Sequence, residues 1–458
     1  MKAIRAIAER VRDAGGRALV VGGWVRDTLL DRPSKDVDIE VFGLDPAALK
    51  SLLRNMGRVS TVGESFTVYK VWVDGHDGDI DVSIPRRESK TGRGHRGFTV
   101  VGDPSMSVEE AARRRDFTIN AILFDPLSSE FVDPFDGRAD LENRILRAVD
   151  PETFVEDSLR VLRAAQFAAR FALSLEPRTV SLCRTIPLDD LPSERIWGEI
   201  DKLLVRAHEP SRGLEGLREL GALPKLFPEL EALVGCPQDP EHHPEGDVWT
   251  HTKLVVDEAR DALGGLGRAH RTTVMLAALC HDLGKPATTK VVDGRIRQLA
   301  HDRAGLEPTR ALLERLRVHT IDGFHARDQI LALVDEHLVP SHFYKDRDRV
   351  TDGAFRRLAR RVHCGLLARV SRADLLGRTG EARQARAAEW FAVRIRELGL
   401  EDGPEPPFLL GRHVLEMGVP AGPEVGLITK AVYELQLDGD VRDLDAARAA
   451  AWRVLKSQ

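Results

Sequence analysis

Asp36 and Asp38 stand two residues apart at the head of an apolar run, Val37-Asp38-Ile39-Glu40-Val41-Phe42. Side chains alternate across a strand, so carboxylates at i and i+2 share a face. Paired carboxylates are hard oxygen ligands and suit Mg²⁺. Asp81, in the alternating stretch Ile80-Asp81-Val82-Ser83-Ile84, offers a third, and an unpaired acid in such a strand is costly. Ahead of them, Leu19-Val20-Val21 runs into Gly22-Gly23 and on into Trp24-Val25-Arg26-Asp27, an apolar strand, a glycine turn and a helix start. Glycine lets the backbone approach phosphate closely, and helix amides point at it. A lone DxD pair is usually an ordinary exposed strand feature. Joined to the glycine turn it reads as a centre for nucleotide transfer from a metal-bound triphosphate, with two metals activating a hydroxyl and stabilising the departing pyrophosphate.

Two further segments fit that chemistry. Arg113-Arg114-Arg115-Asp116-Phe117-Thr118-Ile119-Asn120 supplies guanidinium forks for phosphate, with Asp116 and Asn120 able to bond ribose hydroxyls. In Glu156-Asp157-Ser158-Leu159-Arg160, a helix would put Asp157 and Arg160 on one face as i, i+3 neighbours. An acceptor beside a donor fork can read a base edge, although an intrahelical ion pair is the commoner meaning of that spacing.

A second constellation lies further on. Leu276–Cys280 is apolar and ends in His281-Asp282-Leu283-Gly284-Lys285; His251 lies 30 residues earlier, and His301, His337 and Asp374 follow. Imidazole with carboxylate is a transition-metal set. The pattern resembles HD phosphohydrolases, which implies His251, His281, Asp282 and Asp374 as metal ligands and Lys285 as the cation facing phosphate. His301 and His337 could support a second metal or grip phosphate. His270, His319, His325 and His363 are read as structural.

These side chains need elements to place them. Residues 1 to about 150 alternate strand and helix, with strands expected at Ala18–Val21, Val37–Phe42, Tyr69–Val73, Ile80–Ile84 and Ile122–Phe124 and a helix at Pro46–Met56. From Pro151 the pattern turns helical and stays so to the end, with Val155, Leu159, Leu162 and Gln166 on one stripe and Phe167 and Phe171 beside it. Breaks rich in Pro and Gly fall near residues 236–246, 399–407 and 419–426. The expected fold is α+β: a small mixed sheet with helices (1–150), a helical neck and body carrying the nucleotide-selecting motif (151–240), an HD domain (241–380) and a helical RNA-binding tail (381–458).

With 458 residues and 42% apolar content the chain exceeds one ordinary core. No apolar run approaches the roughly 18 residues of a membrane helix. The N-terminal Met1-Lys2-Ala3-Ile4-Arg5 reads as an amphipathic helix and not as a signal peptide. Cys183, Cys236, Cys280 and Cys364 have no CxxC spacing, which fits a reduced, cytoplasmic protein. The net charge of −5 gives no global support for nucleic-acid binding, but the stretch Arg86–Arg96, read as a basic glycine-containing loop, and Arg113–Arg115 are local basic runs. No heptad seam announces a homodimer, which stays open.

GGWVRDTLL, KDVDIEV, RRRDFTINA, DPFDGRADL with ILRAV, EDSLRVLRAAQFAARF and SERIWGEIDKLL follow one another in the order of class II tRNA nucleotidyltransferases, the bacterial CCA-adding enzymes and poly(A) polymerases. The resemblance covers about residues 16–235. It implies a polymerase-β-like head, Asp36 and Asp38 holding Mg²⁺, and Gly22 and Gly23 flanking the triphosphate. Arg26, Arg113, Arg114, Asp116, Asn120 and Arg163 are implied at the nucleotide. Asp157 and Arg160 are implied to select the base without a template, with Arg195 and Glu199 supporting the pocket. Cytosine and adenine each present an amino donor beside a ring acceptor, so one acceptor–donor pair can serve both and reject guanine and uracil.

With an HD domain behind it, the chain resembles the bacterial group whose members are implied to add C, C and A to tRNA 3′ ends from CTP and ATP. That group is also implied to have phosphatase, 2′-nucleotidase and 2′,3′-cyclic phosphodiesterase activity. The HD metal could be Ni²⁺, Mn²⁺ or Co²⁺. An A-adding or CC-adding specialist and a poly(A) polymerase are the alternatives within the class. The long stretch from Pro85 to Asp103, read as an intact loop, counts against a CC-adding enzyme. A dead head is disfavoured by the presence of all three aspartates.

Overall fold

The computed structural model describes residues 1–32, 34, 36–62, 68–73, 78–90, 98–380 and 383–456. The chain divides into two compact units, Met1–Leu203 with Arg212–Leu226, and Leu204–Ser211 with Phe227–Gln458.

The first unit is built on strands β1 (Arg17–Val21), β2 (Val37–Phe42), β3 (Arg58–Val62), β4 (Val68–Trp72), β5 (Ile80–Ser83), β6 (Arg86–Lys90), β7 (Phe98–Gly102), β8 (Leu123–Asp125) and β9 (Glu130–Val132). Seven of them form a sheet in the order β3-β4-β5-β2-β1-β8-β9. Its β2 and β5 run parallel, while the other neighbours are antiparallel. This is the expected mixed sheet. The parallel register sets Val37 beside Ile80 and Asp38 beside Asp81, so the apolar residues seat both strands in the core and the two carboxylates emerge as neighbours.

Helix Lys2–Asp13 buries Ile4, Ile7 and Val11 at i, i+3 and i+7. Helix Pro46–Arg54 starts where the Asp45 carboxylate accepts from the Ala47 and Ala48 amides, and Pro46 occupies the first turn. The stretch Pro85–Asp103 is not a plain loop: β6 and β7 pair antiparallel from Arg86–Gly102 to Lys90–Phe98. Residues 91–97 of the basic run lie outside the described residues.

The helix after Asp157 spans Leu159–Phe171 and buries Leu162, Gln166, Phe167 and Phe171. Val155 does not join that stripe. Helix Pro151–Phe154 ends before it, and Val155 is 40% exposed, because the chain breaks over residues 155–158 before helix resumes. Phe117 meets Phe154 and Phe167 edge to face, which seats the arginine-rich motif on this helix.

In the second unit, helices Val248–Asp261, Arg268–Cys280, Ala326–Glu336 and Cys364–Leu376 pack together, each with a nearly continuous buried face. The expectation of unbroken helix fails here too. Thr289–Val292 and Arg295–Gln298 form a two-stranded hairpin, because Asp293 and Gly294 adopt positive φ and make its turn. Helices Gly411–Glu416, Pro423–Asp438 and Leu444–Lys456 share a core of Val414, Ile428, Val432, Ala447 and Ala451, with the Gly- and Pro-containing segment as the turn between the first two. No described helix is long and apolar enough to cross a membrane.

Candidate active sites

In the first unit Asp38 and Asp81 are register neighbours and Asp36 lies near enough for its charge to act on Asp38, but among the described residues the three carboxylates do not gather as tightly as the ligand sets of the second unit. Strand β2 begins at Val37, so Asp36 stands just ahead of it and not within it. The Asp38 carboxyl is pushed up from its ordinary range, first by desolvation and then by the adjacent charge of Asp81, with Asp36 adding to it. Lys70 on β4 reaches back to this cluster, with Nζ 3.0 Å from Asp81 Oδ1 and also bonded to Asp79. Gly22, in the turn into helix Gly23–Leu29, holds φ 71°, which a side chain would strain, and a Cβ there would lie 3.3 Å from Arg115 Nη1 and 3.7 Å from Asp38 Oδ2. The turn therefore lies against the Asp38 carboxylate.

The RRRD motif divides its labour. Arg113 is half-exposed, bonded to Glu109 at 2.7 Å and stacked on Phe135. The Arg114 carbonyl accepts from Arg160. Arg115, which the sequence offered only as one of a run of three, is the arginine that lies between the Gly22 turn and Glu40, with Nη2 3.5 Å from Glu40 Oε2. Asp116 and Asn120 are buried and occupied with each other and with arginines. Asn120 Nδ2 donates to Asp116 Oδ1 at 2.9 Å, Arg163 Nε donates to Asp116 Oδ2 at 2.7 Å, and Arg26 Nη1 donates to Asn120 Oδ1 at 2.7 Å. Desolvation raises Asp116, but Arg163 and Asn120 outweigh it and hold the carboxyl below its usual range. Arg26 is itself buried, its other donors on Asp27 and its guanidinium 4.2 Å from the Phe171 ring centre. Arg26, Asp116, Asn120 and Arg163 thus form one internal network that shapes the motif.

Asp157 and Arg160 do not pair. Asp157 precedes the helix, and its Oδ1 accepts from the Leu159 amide at 3.1 Å. Its Oδ2 takes a bond from Arg195 Nη2 at 2.9 Å. Arg160 instead donates to the carbonyls of Thr153 at 2.9 Å and Arg114 at 2.7 Å. An Arg has five N–H donors, so the fork is anchored and still has donors in hand. Glu199 is buried and bonded to Lys202.

In the second unit, residues from five segments meet. His251 comes from the first turn of its helix, His281-Asp282 from the end of the next, His301 from the start of helix His301–Ala304, His337 from the end of Ala326–Glu336 and Asp374 from Cys364–Leu376. His251 Nε2 is 3.1 Å from Asp374 Oδ1. His281 Nε2 is 3.1 Å from Asp282 Oδ2 and 3.9 Å from Asp374 Oδ1. His301 Nε2 is 3.4 Å from Asp282 Oδ1 and 3.3 Å from His337 Nε2. Two adjoining ligand clusters result, His251–His281–Asp374 and Asp282–His301–His337, and a third, His243–Glu245–His251, shares His251 with the first.

The opposite ring nitrogens fix the tautomers. Nδ1 of His281, His301 and His337 each lies 2.7 Å from a backbone carbonyl, of Ala278, Gln298 and Val334. A carbonyl only accepts, so Nδ1 carries a proton and Nε2 is the nitrogen that each of these three rings turns inward. His251 Nδ1 lies 2.8 Å from Glu245 Oε1, which also holds His243 Nδ1 at 2.8 Å. Buried His281 Nε2 and Asp282 Oδ2 have no partner of hydrogen-bonding geometry. That donor set fits divalent transition metal. Burial opposes charge on Asp282 and Asp374, yet His281 and Lys285 around the first, and His251 and Arg378 around the second, hold both well below the usual range. Burial, with His281 and His301, lowers His337 to about 4. Lys285 lines the cleft over this centre, with Nζ 2.7 Å from Asp282 Oδ2 and 2.6 Å from Gln238 Oε1.

A protein named multifunctional CCA protein from Laribacter hongkongensis is 41% identical over 363 residues, covering 78% of this chain and 82% of that relative. The chain belongs to the multifunctional CCA protein family. A relative of the same name from Stenotrophomonas maltophilia is 43% identical over 308 residues, covering 66% of this chain and 71% of its own. Three domain families match along the sequence: the Poly A polymerase head domain at residues 18–147, the probable RNA and SrmB-binding site of polymerase A at 173–233, and the HD domain at 248–377. A Bacillus stearothermophilus CCA-adding enzyme in complex with CTP shares the fold, with TM-score 0.67 over 100% of this chain and 98% of that one at 22% identity. A Thermotoga maritima CCA-adding enzyme complexed with tRNA gives TM-score 0.60 over 99% and 95% at 18% identity.

Within this family member, sequence reasoning overlooked Glu245, His243 and Gln238, and did not single out Arg115 from its run. Only His243-Pro244-Glu245, six residues ahead of His251, carried a signal, a loop histidine and acid next to a metal-type histidine. Arg115 was masked by two identical neighbours.

Proposed function

We propose that this chain is a CCA-adding tRNA nucleotidyltransferase that adds C, C and A to tRNA 3′ ends from CTP and ATP, without a nucleic-acid template. The observation that carries the reading is the register pairing of Asp38 with Asp81 under the Gly22 turn, in a chain 41% identical to a multifunctional CCA protein. Asp36, Asp38 and Asp81 would supply oxygen ligands suited to Mg²⁺, with Lys70 giving up Asp81; the ion when bound would neutralise triphosphate charge and favour the attacking hydroxyl. The terminal ribose oxygen bonds to the α-phosphorus, its proton is lost, and pyrophosphate leaves. Gly22 and Gly23 let the backbone lie against the triphosphate, and Arg115 is placed to meet its charge. Arg113 and Arg114 flank that position. Asp157, fixed by Arg195, supplies an acceptor, and Arg160, anchored on two carbonyls, supplies donors for the base edge. Arg26, Asp116, Asn120 and Arg163 hold these motifs together.

The second unit is proposed to be a phosphohydrolase acting on phosphate monoesters and 2′,3′-cyclic ends. His251, His281, Asp282 and Asp374 would hold one divalent metal (Ni²⁺, Mn²⁺ or Co²⁺), and Asp282, His301 and His337 a second. Such ions polarise a phosphoryl group and favour hydroxide. Lys285 and His301 face the cleft where phosphate would lie. The helical segments 151–240 and 381–458 are read as the neck and body and as an RNA-binding tail. Four buried free cysteines fit a cytoplasmic protein.

The test is extension at single-nucleotide resolution of a tRNA ending at the discriminator base, at C or at CC, with CTP, ATP or both. Extension of the bare end to CCA and no further is expected. A single A added only to the CC end means an A-adding specialist; long A tails mean a poly(A) polymerase.

A further inference from the structure

The hairpin Thr289–Val292/Arg295–Gln298 has no part in the readings above, yet it borders the histidine–carboxylate centre. A cleft of about 250 Å³ counts Arg295 and Arg297 of the hairpin and His242, Lys285 and His301 among its lining residues, with Asp239 as its one acid. The hairpin register sets Lys290 directly opposite Arg297 and Val292 opposite Arg295, so Lys290, Arg295 and Arg297 share one face. All three are exposed. Like charges directly opposite on a two-stranded ribbon destabilise it, and an anion lying along that face removes the penalty. Arg295 Nη2 meets Glu241 Oε2 at 3.3 Å, but both side chains are more than half exposed, so that pair is weak and exchanges readily for phosphate.

The spacing argues for more than one phosphate. Arg295 and Arg297 are i, i+2 on a strand, about 6.7 Å apart along it. A single phosphate would sit at the metal ligands beside Lys285 and His301, leaving the Arg297 fork and the weakly engaged Arg295 fork further along the cleft to meet other phosphates. Arg forks match phosphate oxygens bidentately, and two forks at that spacing suit successive phosphates of an extended strand.

We propose that this cationic hairpin face is an RNA-backbone subsite, holding the phosphodiesters just upstream of a terminal phosphate that enters the cleft. The proposal rests on the phosphohydrolase reading and gives it a substrate class: the 3′ end of a single-stranded RNA, in preference to a free mononucleotide. For a 2′,3′-cyclic end, water oxygen bonds to phosphorus, one ribose P–O bond breaks, and the released ribose oxygen takes the proton.

The test uses the full chain without CTP or ATP, supplied in turn with Ni²⁺, Mn²⁺ and Mg²⁺. Hydrolysis of 2′,3′-cyclic AMP is compared with hydrolysis of a single-stranded 12-residue RNA ending in a 2′,3′-cyclic phosphate. In the unsubstituted protein kcat/KM for the RNA should exceed that for the mononucleotide and fall more steeply with salt. In Arg295→Ala/Arg297→Ala, and separately in Lys290→Ala/Arg297→Ala, the RNA-to-mononucleotide ratio of kcat/KM should drop by roughly tenfold, mostly through KM, because two phosphate contacts are lost. An unaltered ratio in both variants overturns the subsite while leaving the phosphohydrolase reading intact. Failure to hydrolyse either substrate with any of the three ions overturns both.

Discussion

Arg195 Nη2 lies 2.9 Å from Asp157 Oδ2, so the carboxylate that sequence spacing couples to Arg160 is held by a guanidinium 38 residues further along the chain. Both side chains are about one-third exposed, which keeps the carboxylate within reach of a base. An acceptor that must read an amino group is useful only if its direction is fixed. Arg195→Ala should therefore raise misincorporation of UTP and GTP relative to CTP and ATP by about 10- to 100-fold. Arg195→Lys should restore part of the fidelity, since it returns charge without the fork. Single-nucleotide extension with each triphosphate reads this directly; unchanged fidelity in Arg195→Ala sinks the positioning role.

The raised pKa of Asp38 has a consequence for stability. Its folded-state value lies above the ordinary one. Stability from the neutral form is thus fully present below the ordinary aspartate value and declines as pH rises through the raised one. At neutral pH with chelator, Asp38→Asn should melt at a higher temperature than the unsubstituted chain. Added Mg²⁺ should stabilise the unsubstituted chain and not the variant, while nucleotide addition by the variant falls at least about 100-fold. Thermal melts with and without Mg²⁺ check the first two statements.

Asp116 behaves oppositely, because Arg163 and Asn120 hold it below its ordinary value. Its stabilising contribution is present above the unfolded aspartate value and is lost as pH falls from there through the lower folded value. Acid unfolding should therefore be steeper below about pH 4 for the unsubstituted chain than for Asp116→Asn. Arg163→Met leaves a buried carboxylate without its guanidinium and should cost about 3 kcal/mol. Combining the two substitutions should cost less than their sum, as measured by urea unfolding of the four proteins.

Glu245 holds His251 from the side away from the carboxylate cluster, at 2.8 Å. Removing such support from a metal-ligating imidazole typically weakens metal affinity by about 10- to 100-fold. Glu245→Gln should show that loss by calorimetric titration with Mn²⁺, and excess metal should restore phosphohydrolysis. His281→Ala with Asp282→Ala should abolish phosphohydrolysis beyond rescue and spare nucleotide addition. Loss of both activities in a well-folded double variant contradicts the assignment of two separate centres.

Much of the architecture was legible because it depends on local pattern. Alternation of apolar residues placed β2 and β5, the amphipathic opening Met1–Arg5 announced the first helix, and His281-Asp282-Leu283-Gly284-Lys285 announced a ligand cluster before any contact was known. Misses came where the local signal was short or shared. The hairpin at 289–298 consists of two four-residue strands with weak alternation, and β6–β7 look like a basic loop in a composition full of Arg and Gly.

By itself the sequence determined which residue types are present at chemically meaningful spacings: the aspartate pair after a glycine turn, the arginine-rich run and the histidines with their acids. Spacing along one chain says nothing of partners that arrive from elsewhere. Only the tertiary structure decided that Asp38 lies beside Asp81, that Arg115 is the arginine at the Gly22 turn, and that Asp116 is bound by Arg163 and Asp157 by Arg195. It also decided that His281, His301 and His337 present Nε2 inward, because their Nδ1 protons are taken by carbonyls three residues earlier. Strand register and helix packing set these pairings, and both follow from burial of the apolar residues around the sites, with the polar groups carried along by the backbone.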